Sequence, residues 1–286
     1  MAIKINVAAS AGFCFGVKRA LNIALDTAKS YGRVYMLGDI VHNEDVVREI
    51  EKSGVEKIKR LGNGKKRVLL IRAHGAGNGT IKKAEALGYR IIDATCPMVK
   101  EIHRIAQAME KKGYKIIIIG DKEHDEVRGI IGQLKDKAIV IDGQANIPQY
   151  AINGVKKAAV VVQSTQNIDK AMRVLRELEG RIEDLKFFNT ICRPTRIKQG
   201  EIRSMPQKND LMLIIGSKNS ANTKRLYEIS KSLNRRSHWI SGPEEIKNSW
   251  LKGVKKVGVT AGASTPDSIT QEVVSVLKRA GSRNAD

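Results

Sequence analysis

The run Ile91-Ile92-Asp93-Ala94-Thr95-Cys96-Pro97 marks the point where a predicted strand ends and a predicted helix begins. Apolar residues recur at helical spacing after this run, and Gly113 is a typical helix stop. Cys14 and Cys192 also follow apolar or aromatic runs, and each precedes a helical pattern. Three cysteines at strand-to-helix junctions predict an internal repeat.

The spacing beyond each cysteine supports this repeat. A glycine ends the next apolar strand 24 residues after each cysteine, at Gly38, Gly120 and Gly216. Four residues beyond the glycines stand His42, His124 and Ser220, and two further on stand Glu44, Glu126 and Asn222. A third strand in each section ends in a small polar turn, and these turns contain Arg72-Ala73-His74-Gly75, Gln163-Ser164-Thr165-Gln166 and Thr260-Ala261-Gly262-Ala263-Ser264.

The repeat predicts an α/β fold of three pseudo-repeated small units, each with a parallel sheet. Residues 1–14 are predicted to form an N-terminal strand that leads to the first cysteine and packs with the third unit. The first unit is predicted at 15–96, the second at 97–191, and the third, with a C-terminal tail, at 192–286. Because open parallel sheets bind ligands outside the carboxyl ends of their strands, we expect the cysteines and polar turns to converge on one cleft.

Composition limits the class of protein. Hydrophobic residues make up 42% of the 286 residues, which argues against disorder. No apolar run approaches the ~18 residues of a membrane span, and the amino terminus lacks the pattern of a secretory signal. Three cysteines are too few for a disulfide scaffold in a chain of this length. Together these features predict a cytoplasmic protein without a membrane partner.

The formal net charge of +21 predicts anionic partners. Nucleic acid is disfavoured among them, because no nucleic-acid-binding motif accompanies the charge and only 4% of residues are aromatic. The basic residues are also spread along the chain rather than clustered. A basic nucleic-acid-binding protein stays open as an alternative.

The three cysteines favour a metal centre. Zinc sites usually pair close ligands such as C-x-x-C, and this chain has no such pair. Widely spaced cysteines delivered by separate units better match an iron–sulfur cluster, in which three protein thiolates leave one iron open as a Lewis acid. The alternative is three buried, unreactive cysteines, and their equivalent repeat positions argue against it.

The polar turns favour a phosphate or diphosphate ligand. Three of the five histidines, His42, His74 and His124, fall in these turns. Ser164, Ser220, Asn222 and Ser264 join them and complete a set rich in neutral hydrogen-bond donors. Such donors, together with backbone N–H groups at helix starts, are typical of phosphate sites.

At these residues the chain resembles the 4-hydroxy-3-methylbut-2-enyl diphosphate reductases, iron–sulfur enzymes that end the methylerythritol phosphate route to isoprenoids. Eight segments carry the resemblance in order along nearly the whole chain. They are Gly12–Ala20, Val41-His42-Asn43, Ala73-His74-Gly75, Asp93–Pro97, His124–Val127, Asn189–Cys192, Gly216–Ser220 and Thr260–Asp267.

The resemblance implies a trefoil of three α/β units around an oxygen-sensitive [4Fe–4S] cluster. Its three cysteine ligands would be Cys14, Cys96 and Cys192, and the fourth iron would be open to the substrate's hydroxyl. The diphosphate would be bound by His42, His74, His124, Thr165, Ser220, Asn222 and Ser264. Glu126 would be the proton source, with Ser164 and His124 as further catalytic residues. Reduced ferredoxin or flavodoxin would supply the electrons.

Two departures from the family pattern bear on the site, while a third, Asp125 where many relatives have proline, should matter little. Ser164 stands where the family has an active-site threonine, so the hydroxyl is kept and a methyl group is lost. Ala221 replaces a serine that is common in relatives before the diphosphate-binding asparagine. Another three-cysteine iron–sulfur enzyme, such as a dehydratase similar to quinolinate synthase, stays open as an alternative.

Overall fold

The computed structural model describes residues 3–142, 147 and 149–283. Within these residues the chain forms twelve strands, most of them short and rich in branched apolar side chains, as is typical of buried parallel sheets. The strands are β1 (Lys4–Val7), β2 (Val34–Leu37), β3 (Val55–Ile58), β4 (Val68–Ile71), β5 (Arg90–Asp93), β6 (Lys115–Ile119), β7 (Ile139–Ile141), β8 (Lys157–Val162), β9 (Asp184–Phe188), β10 (Leu211–Ile215), β11 (Ser237–Ile240) and β12 (Lys256–Ala261).

Eleven α-helices connect these strands in the described part of the chain. They are α1 (Phe15–Tyr31), α2 (Glu44–Lys52), α3 (Asn78–Ala86), α4 (Pro97–Lys111), α5 (Asp125–Ile131), α6 (Gln149–Ile152), α7 (Ile168–Glu179), α8 (Arg193–Ser204), α9 (Ala221–Leu233), α10 (Asn248–Leu251) and α11 (Asp267–Arg283). Two 3₁₀ turns, Pro206–Lys208 and Pro243–Glu245, complete the regular structure. No helix among the described residues is long and apolar enough to cross a membrane.

The strands form three four-stranded sheets that share one topology. Their orders are β3-β2-β4-β5, β7-β6-β8-β9 and β11-β10-β12-β1, and every pairing is parallel. In each sheet a cysteine follows one edge strand before the next helix begins, and β1 joins the last sheet by pairing with β12. The predicted α/β class with three repeated parallel-sheet units is confirmed.

Alternation of side chains places apolar residues on both faces of each sheet, which helices then cover. In β6, Ile117 and Ile119 join one buried cluster while Ile116 and Ile118 join another on the opposite face. The residues of β8 divide in the same way. Because successive side chains in a strand point to opposite faces, a run of isoleucines suits a central strand covered on both sides.

The outer strand next to the glycine-ended strand was missed in all three sheets. The sequence patterns indicated three strands per section, whereas each sheet also contains β3, β7 or β11 at the edge opposite the cysteine. These strands have only three or four residues. β3 and β11 include polar residues, and β7 is a run of only three apolar residues, so none of them shows the longer apolar run that identifies a central strand.

The chain divides into two compact units. Unit 1 consists of the described residues in Met1–Val17, His42–Val46 and Arg193–Asp286, and unit 2 of those in Lys18–Val41 and Val47–Cys192. Unit 2 contains the sheets of the first two predicted segments, and unit 1 contains the third sheet, including β1. The predicted segment boundaries stay predictions, and residues 284–286 of the predicted tail lie outside the described residues.

Candidate functional site

The polar turns predicted to form the site follow the two middle strands of each sheet. The chain leaves β2, β6 and β10 in one direction along its sheet and returns to β4, β8 and β12 on the other side. In open parallel sheets, ligands bind at the carboxyl ends of the strands where this reversal occurs. The six turns that contain the predicted histidines, serines, Glu126 and Asn222 therefore follow the strand ends that favour ligand binding.

One backbone hydrogen bond holds all three cysteines in the same way. The amide of Cys14 donates to the carbonyl of Ala263, at 3.1 Å. The amides of Cys96 and Cys192 donate to Ala73 and Ser164, at 3.0 Å in both cases. Each acceptor lies two residues beyond the end of the neighbouring strand. The repeat therefore extends from sheet topology to the backbone position of each thiol.

Each cysteine also directly precedes the first residue of a helix. Cys14, Cys96 and Cys192 stand before α1, α4 and α8, and all three are half-buried thiols outside any disulfide. The Val17 amide, in the first turn of α1, points at the Cys14 sulfur from 3.4 Å. Because N–H groups at a helix start favour a thiolate, these positions suit sulfur ligands of a metal centre.

In unit 2, Glu126 and Ser164 form a buried pair. The Ser164 amide and hydroxyl each lie 2.6 Å from a different carboxylate oxygen of Glu126, which is 2% exposed. Burial raises the pKa of Glu126, and the hydrogen bonds from Ser164 oppose that rise without cancelling it. A carboxyl group with a raised pKa keeps its proton closer to neutral pH and suits a general acid.

The predicted histidines of unit 2 lie beside this pair. His124 caps α5, and its Nδ1 accepts a hydrogen bond from the Glu126 amide at 3.2 Å. This bond places the proton of a neutral His124 ring on Nε2, where it can be donated to a ligand. The His74 and His124 rings meet edge to face with centroids 5.5 Å apart. Unit 2 therefore brings two histidines, Ser164 and Glu126 together.

Gln163 belongs to this group and was missed by sequence reasoning. Its Oε1 accepts from the Asp121 amide at 2.9 Å, and its Nε2 donates to the Thr165 hydroxyl at 3.0 Å. Gln163 thus ties the turn after β6 to the turn after β8 and fixes Thr165. A glutamine after a strand is ordinary in sequence, and only its complete burial distinguishes it.

In unit 1, polar groups gather near the ends of β10 and β12. The Ser264 hydroxyl donates to the carbonyl of His42 at 3.2 Å. Ser220 caps α9 by accepting from the Thr223 amide, also at 3.2 Å. The amide of Asn222, 4% exposed, has no hydrogen-bond partner for either polar atom among the described residues. A buried amide with both atoms unsatisfied fits a site that receives a polar ligand.

Comparison with known proteins agrees with this reading of the chain. The family model described as LytB protein matches residues 5–278. A 4-hydroxy-3-methylbut-2-enyl diphosphate reductase of Geobacter metallireducens is 38% identical over 279 residues, which cover 96% of this chain and 97% of that relative. The reductase of the same name from Aquifex aeolicus is 39% identical over 283 residues, covering 96% of each chain.

Two solved structures are similar across nearly the whole chain. One is (E)-4-hydroxy-3-methyl-but-2-enyl diphosphate reductase, the terminal enzyme of the non-mevalonate pathway, with 36% identity, a TM-score of 0.72 and coverage of 97% of this chain and 99% of that one. The E-1-hydroxy-2-methyl-but-2-enyl-4-diphosphate reductase from Plasmodium falciparum has 28% identity, a TM-score of 0.87 and coverage of 96% and 88%. The chain belongs to the LytB protein family.

Proposed function

We propose that this protein is a 4-hydroxy-3-methylbut-2-enyl diphosphate reductase. The reaction breaks the allylic C–O bond of the substrate and consumes two electrons and two protons. Its products are isopentenyl and dimethylallyl diphosphates plus water. The observation that supports this proposal most is the equivalent hydrogen bond made by each of the three cysteine amides. It places the three thiols at the same position relative to a strand end and a helix start.

The cofactor in this proposal is a [4Fe–4S] cluster with Cys14, Cys96 and Cys192 as its three protein ligands. Soft thiolates that directly precede helix N-termini are the donors that such a cluster prefers. When bound, the cluster supplies single electrons and an open iron that makes the substrate hydroxyl a better leaving group. A trefoil arrangement of the three sheets around the cluster is part of the same proposal.

Glu126 is the proposed proton donor. Its buried position and raised pKa favour the protonated carboxyl group that a general acid needs. Ser164 holds both carboxylate oxygens and therefore fixes the direction in which the proton is delivered. By the resemblance, this serine stands where relatives have an active-site threonine, and it keeps the hydroxyl group. His124 accepts a hydrogen bond from the Glu126 amide through Nδ1, and its Nε2–H is a second hydrogen-bond donor beside the acid.

The polar turns are the proposed diphosphate site. Seven residues offer neutral donors there: His42, His74, His124, Thr165, Ser220, Asn222 and Ser264. Neutral donors stabilise an anion without adding fixed charge near the acid, and helix starts contribute further N–H groups. Because the diphosphate lies far from the broken bond, its binding energy can orient the reacting end of the substrate.

Cofactor content is the first test of this proposal. Protein purified without oxygen should be coloured, contain about four irons if fully loaded, and lose its colour in air. Changing Cys14, Cys96 or Cys192 to serine should remove most of the iron. Met98→Ser is a matched control, because Met98 is exposed in the first turn of α4 and carries a sulfur atom. Full iron occupancy in any cysteine variant would contradict its role as a ligand.

The proposed electron donor is a reduced ferredoxin or flavodoxin, and the proposed location is the cytoplasm. Such donors are acidic, and a net charge of +21 speeds their encounter with this protein. Because salt screens charges beyond ~10 Å at 0.1 M, turnover with an acidic donor should fall as salt rises. Turnover with a small uncharged reductant should change less, and equal salt dependence would count against electrostatic docking.

A further inference from the structure

Two charged side chains of α8, Glu201 and Lys198, bind the loop that presents Cys14. Glu201 accepts hydrogen bonds from the Ser10 amide, at 3.2 Å, and from the Ser10 hydroxyl. Lys198, one turn earlier on the same helix, inserts its ammonium group beneath the loop. Residues three apart on a helix share a face, so both side chains reach the same loop.

The Lys198 ammonium has one backbone acceptor for each of its three N–H bonds. It donates to the carbonyl of Ser10, to the carbonyl of Gly12 at 3.0 Å, and to the carbonyl of Ala261 at 3.1 Å. An ammonium group has three donors and no acceptor, so this arrangement satisfies it completely. Lys198 thereby joins the Cys14 loop to the end of β12.

The loop conformation depends on a glycine at this contact. Gly12 has φ of +91°, in the left-handed region that side chains disfavour. A Cβ atom there would lie 2.2 Å from the carboxylate oxygen Oδ1 of Asp267. The loop is therefore bent just before Cys14, and its carbonyl groups are turned toward Lys198.

Lys198 is also a buried charge. Its side chain is 2% exposed, and burial lowers its pKa to about 8, against the opposing effect of Cys14, Glu201 and Asp267. The group is therefore still mostly protonated at neutral pH, and its charge is held at the carbonyl of Gly12, two residues before Cys14. Burying a charged group costs free energy of folding, so a buried lysine at this place indicates a specific role.

We propose that Lys198 is a positioning residue for Cys14: it fixes the loop that presents this thiolate and adds a buried positive charge beside it. This inference rests on the proposed function, since it concerns a cysteine assigned there as a cluster ligand. A positive charge near the thiolate offsets negative charge on a bound cluster. It therefore favours the reduced state of the cluster, which is the more negative one.

The test compares Lys198→Met, Lys198→Arg and Arg196→Met. Methionine removes both the charge and the hydrogen bonds, whereas arginine keeps a charged donor. Arg196 is an exposed cation of the same helix, so its variant controls for net charge. Hydrogen exchange of the loop amides is measured in the metal-free protein, and iron release to a chelator and the reduction potential are measured in the loaded protein.

Lys198→Met should speed exchange in the Cys14 loop, weaken iron retention about 10- to 100-fold and lower the potential. In all three measurements Lys198→Arg should give values closer to those of the parent, and Arg196→Met should match the parent.

Unchanged loop exchange in Lys198→Met would overturn the inference even if no cluster were present. Faster exchange with unchanged iron release and potential would overturn it too, because Lys198 would then only support the fold. A parent protein that binds no cluster would instead contradict the proposed function, and the exchange measurement would still decide whether Lys198 holds the loop.

Discussion

Glu44 and Glu126 stand at the same repeat position, six residues after the glycine that ends a strand, and they lie in opposite environments. Glu126 is buried and accepts two hydrogen bonds from Ser164. Glu44 is exposed and accepts from Ser217 at 3.1 Å and from Asn219 at 2.8 Å. Two carboxylates at equivalent positions therefore have different surroundings: one is shielded from water, and the other is exposed and bonds to the turn after β10.

The difference arises from a one-residue shift of the helix cap. His124 caps α5, so Glu126 is the second residue of that helix, and Ser220 and Asn222 are related in the same way in α9. In the first repeat, Asn43 accepts from the Asp45 and Val46 amides, and Glu44 becomes the first residue of α2. One residue corresponds to about 100° of rotation around a helix. The Glu44 side chain therefore leaves α2 in a different direction from the one in which Glu126 leaves α5.

The largest expected effect separates the two carboxylates by activity. Glu126→Gln keeps the size of the side chain but cannot release a proton, so turnover should fall by about 100- to 10,000-fold, the usual range for general acid catalysis. Cluster content and substrate binding should persist. Steady-state rates with a small reductant measure turnover and the KM for substrate, and iron analysis measures cluster content.

Glu44→Gln is the matched control for that experiment. It changes the equivalent repeat position without touching the buried pair, so the rate should stay near that of the parent. If Glu44→Gln were inactive while Glu126→Gln turned over normally, the acid would have been assigned to the wrong repeat.

Asn222 should affect substrate binding rather than proton transfer. Asn222→Ala removes a buried amide that offers hydrogen bonds to a ligand, and bonds to charged groups contribute about 1.5–3 kcal/mol each. The KM for the diphosphate substrate should therefore rise on the order of 10- to 100-fold. Asn219→Ala is the control, because Asn219 is exposed and bonds to Glu44. An unchanged KM in Asn222→Ala would remove this residue from the diphosphate site.

The stability of the protein should report the raised pKa of Glu126. Its ordinary value is 4.5, and burial makes the folded protein hold this proton more tightly than the unfolded chain does. The free energy of unfolding contributed by Glu126 should therefore decrease as pH rises from about 4.5 toward the raised value. Glu126→Gln lacks this dependence, so its thermal midpoint should gain on the parent's over that range. Parallel midpoints would show that Glu126 titrates normally.

The smallest expected effect concerns Glu44 and stability. Surface substitutions usually change the free energy of unfolding by about 0.5 kcal/mol or less, and Glu44→Gln keeps an acceptor for Ser217 and Asn219. Denaturant unfolding should place this variant within that margin of the parent. A much larger loss would mean that Glu44 organises the turn that precedes Ser220 and Asn222.

Sequence patterns predicted the parts of the fold that leave a periodic trace. The cysteine and glycine spacings identified the repeat because each marks a strand end, and the three sheets share one strand order as a result. The short edge strands β3, β7 and β11 leave no such trace, since β3 and β11 mix polar and apolar residues and β7 has only three residues. Comparison of the three copies predicted a metal centre at the cysteines and a phosphate site in the polar turns, whereas the separate roles of Glu126, Ser164 and His124 came from the family resemblance.

Contacts between distant residues could not be predicted in the same way. The spacing assigned Glu44 and Glu126 to the same repeat position. Asn43 indicated that the helix cap shifts by one residue in the first repeat, because asparagine is a stronger helix cap than histidine. Lys198 resembled any other lysine on a helix face, because nothing in its neighbourhood along the chain indicates burial. Its acceptors are Ser10, Gly12 and Ala261, which only the folded sheet brings near α8.

The pairing of β1 with β12 sets the order in which the sheets can form during synthesis of the chain. Lys4 lies beside Lys256 in that sheet, so the strand made first finds its neighbour only when most of the chain has left the ribosome. Contacts of such long sequence separation form late because a large loop must be closed. Unit 2 has no such requirement, since both of its sheets use strands from within its own ranges. We therefore expect nascent chains to protect Cys96 and Cys192 from alkylation before Cys14, and insertion of a cofactor that uses all three to follow translation; earlier protection of Cys14 would contradict this order.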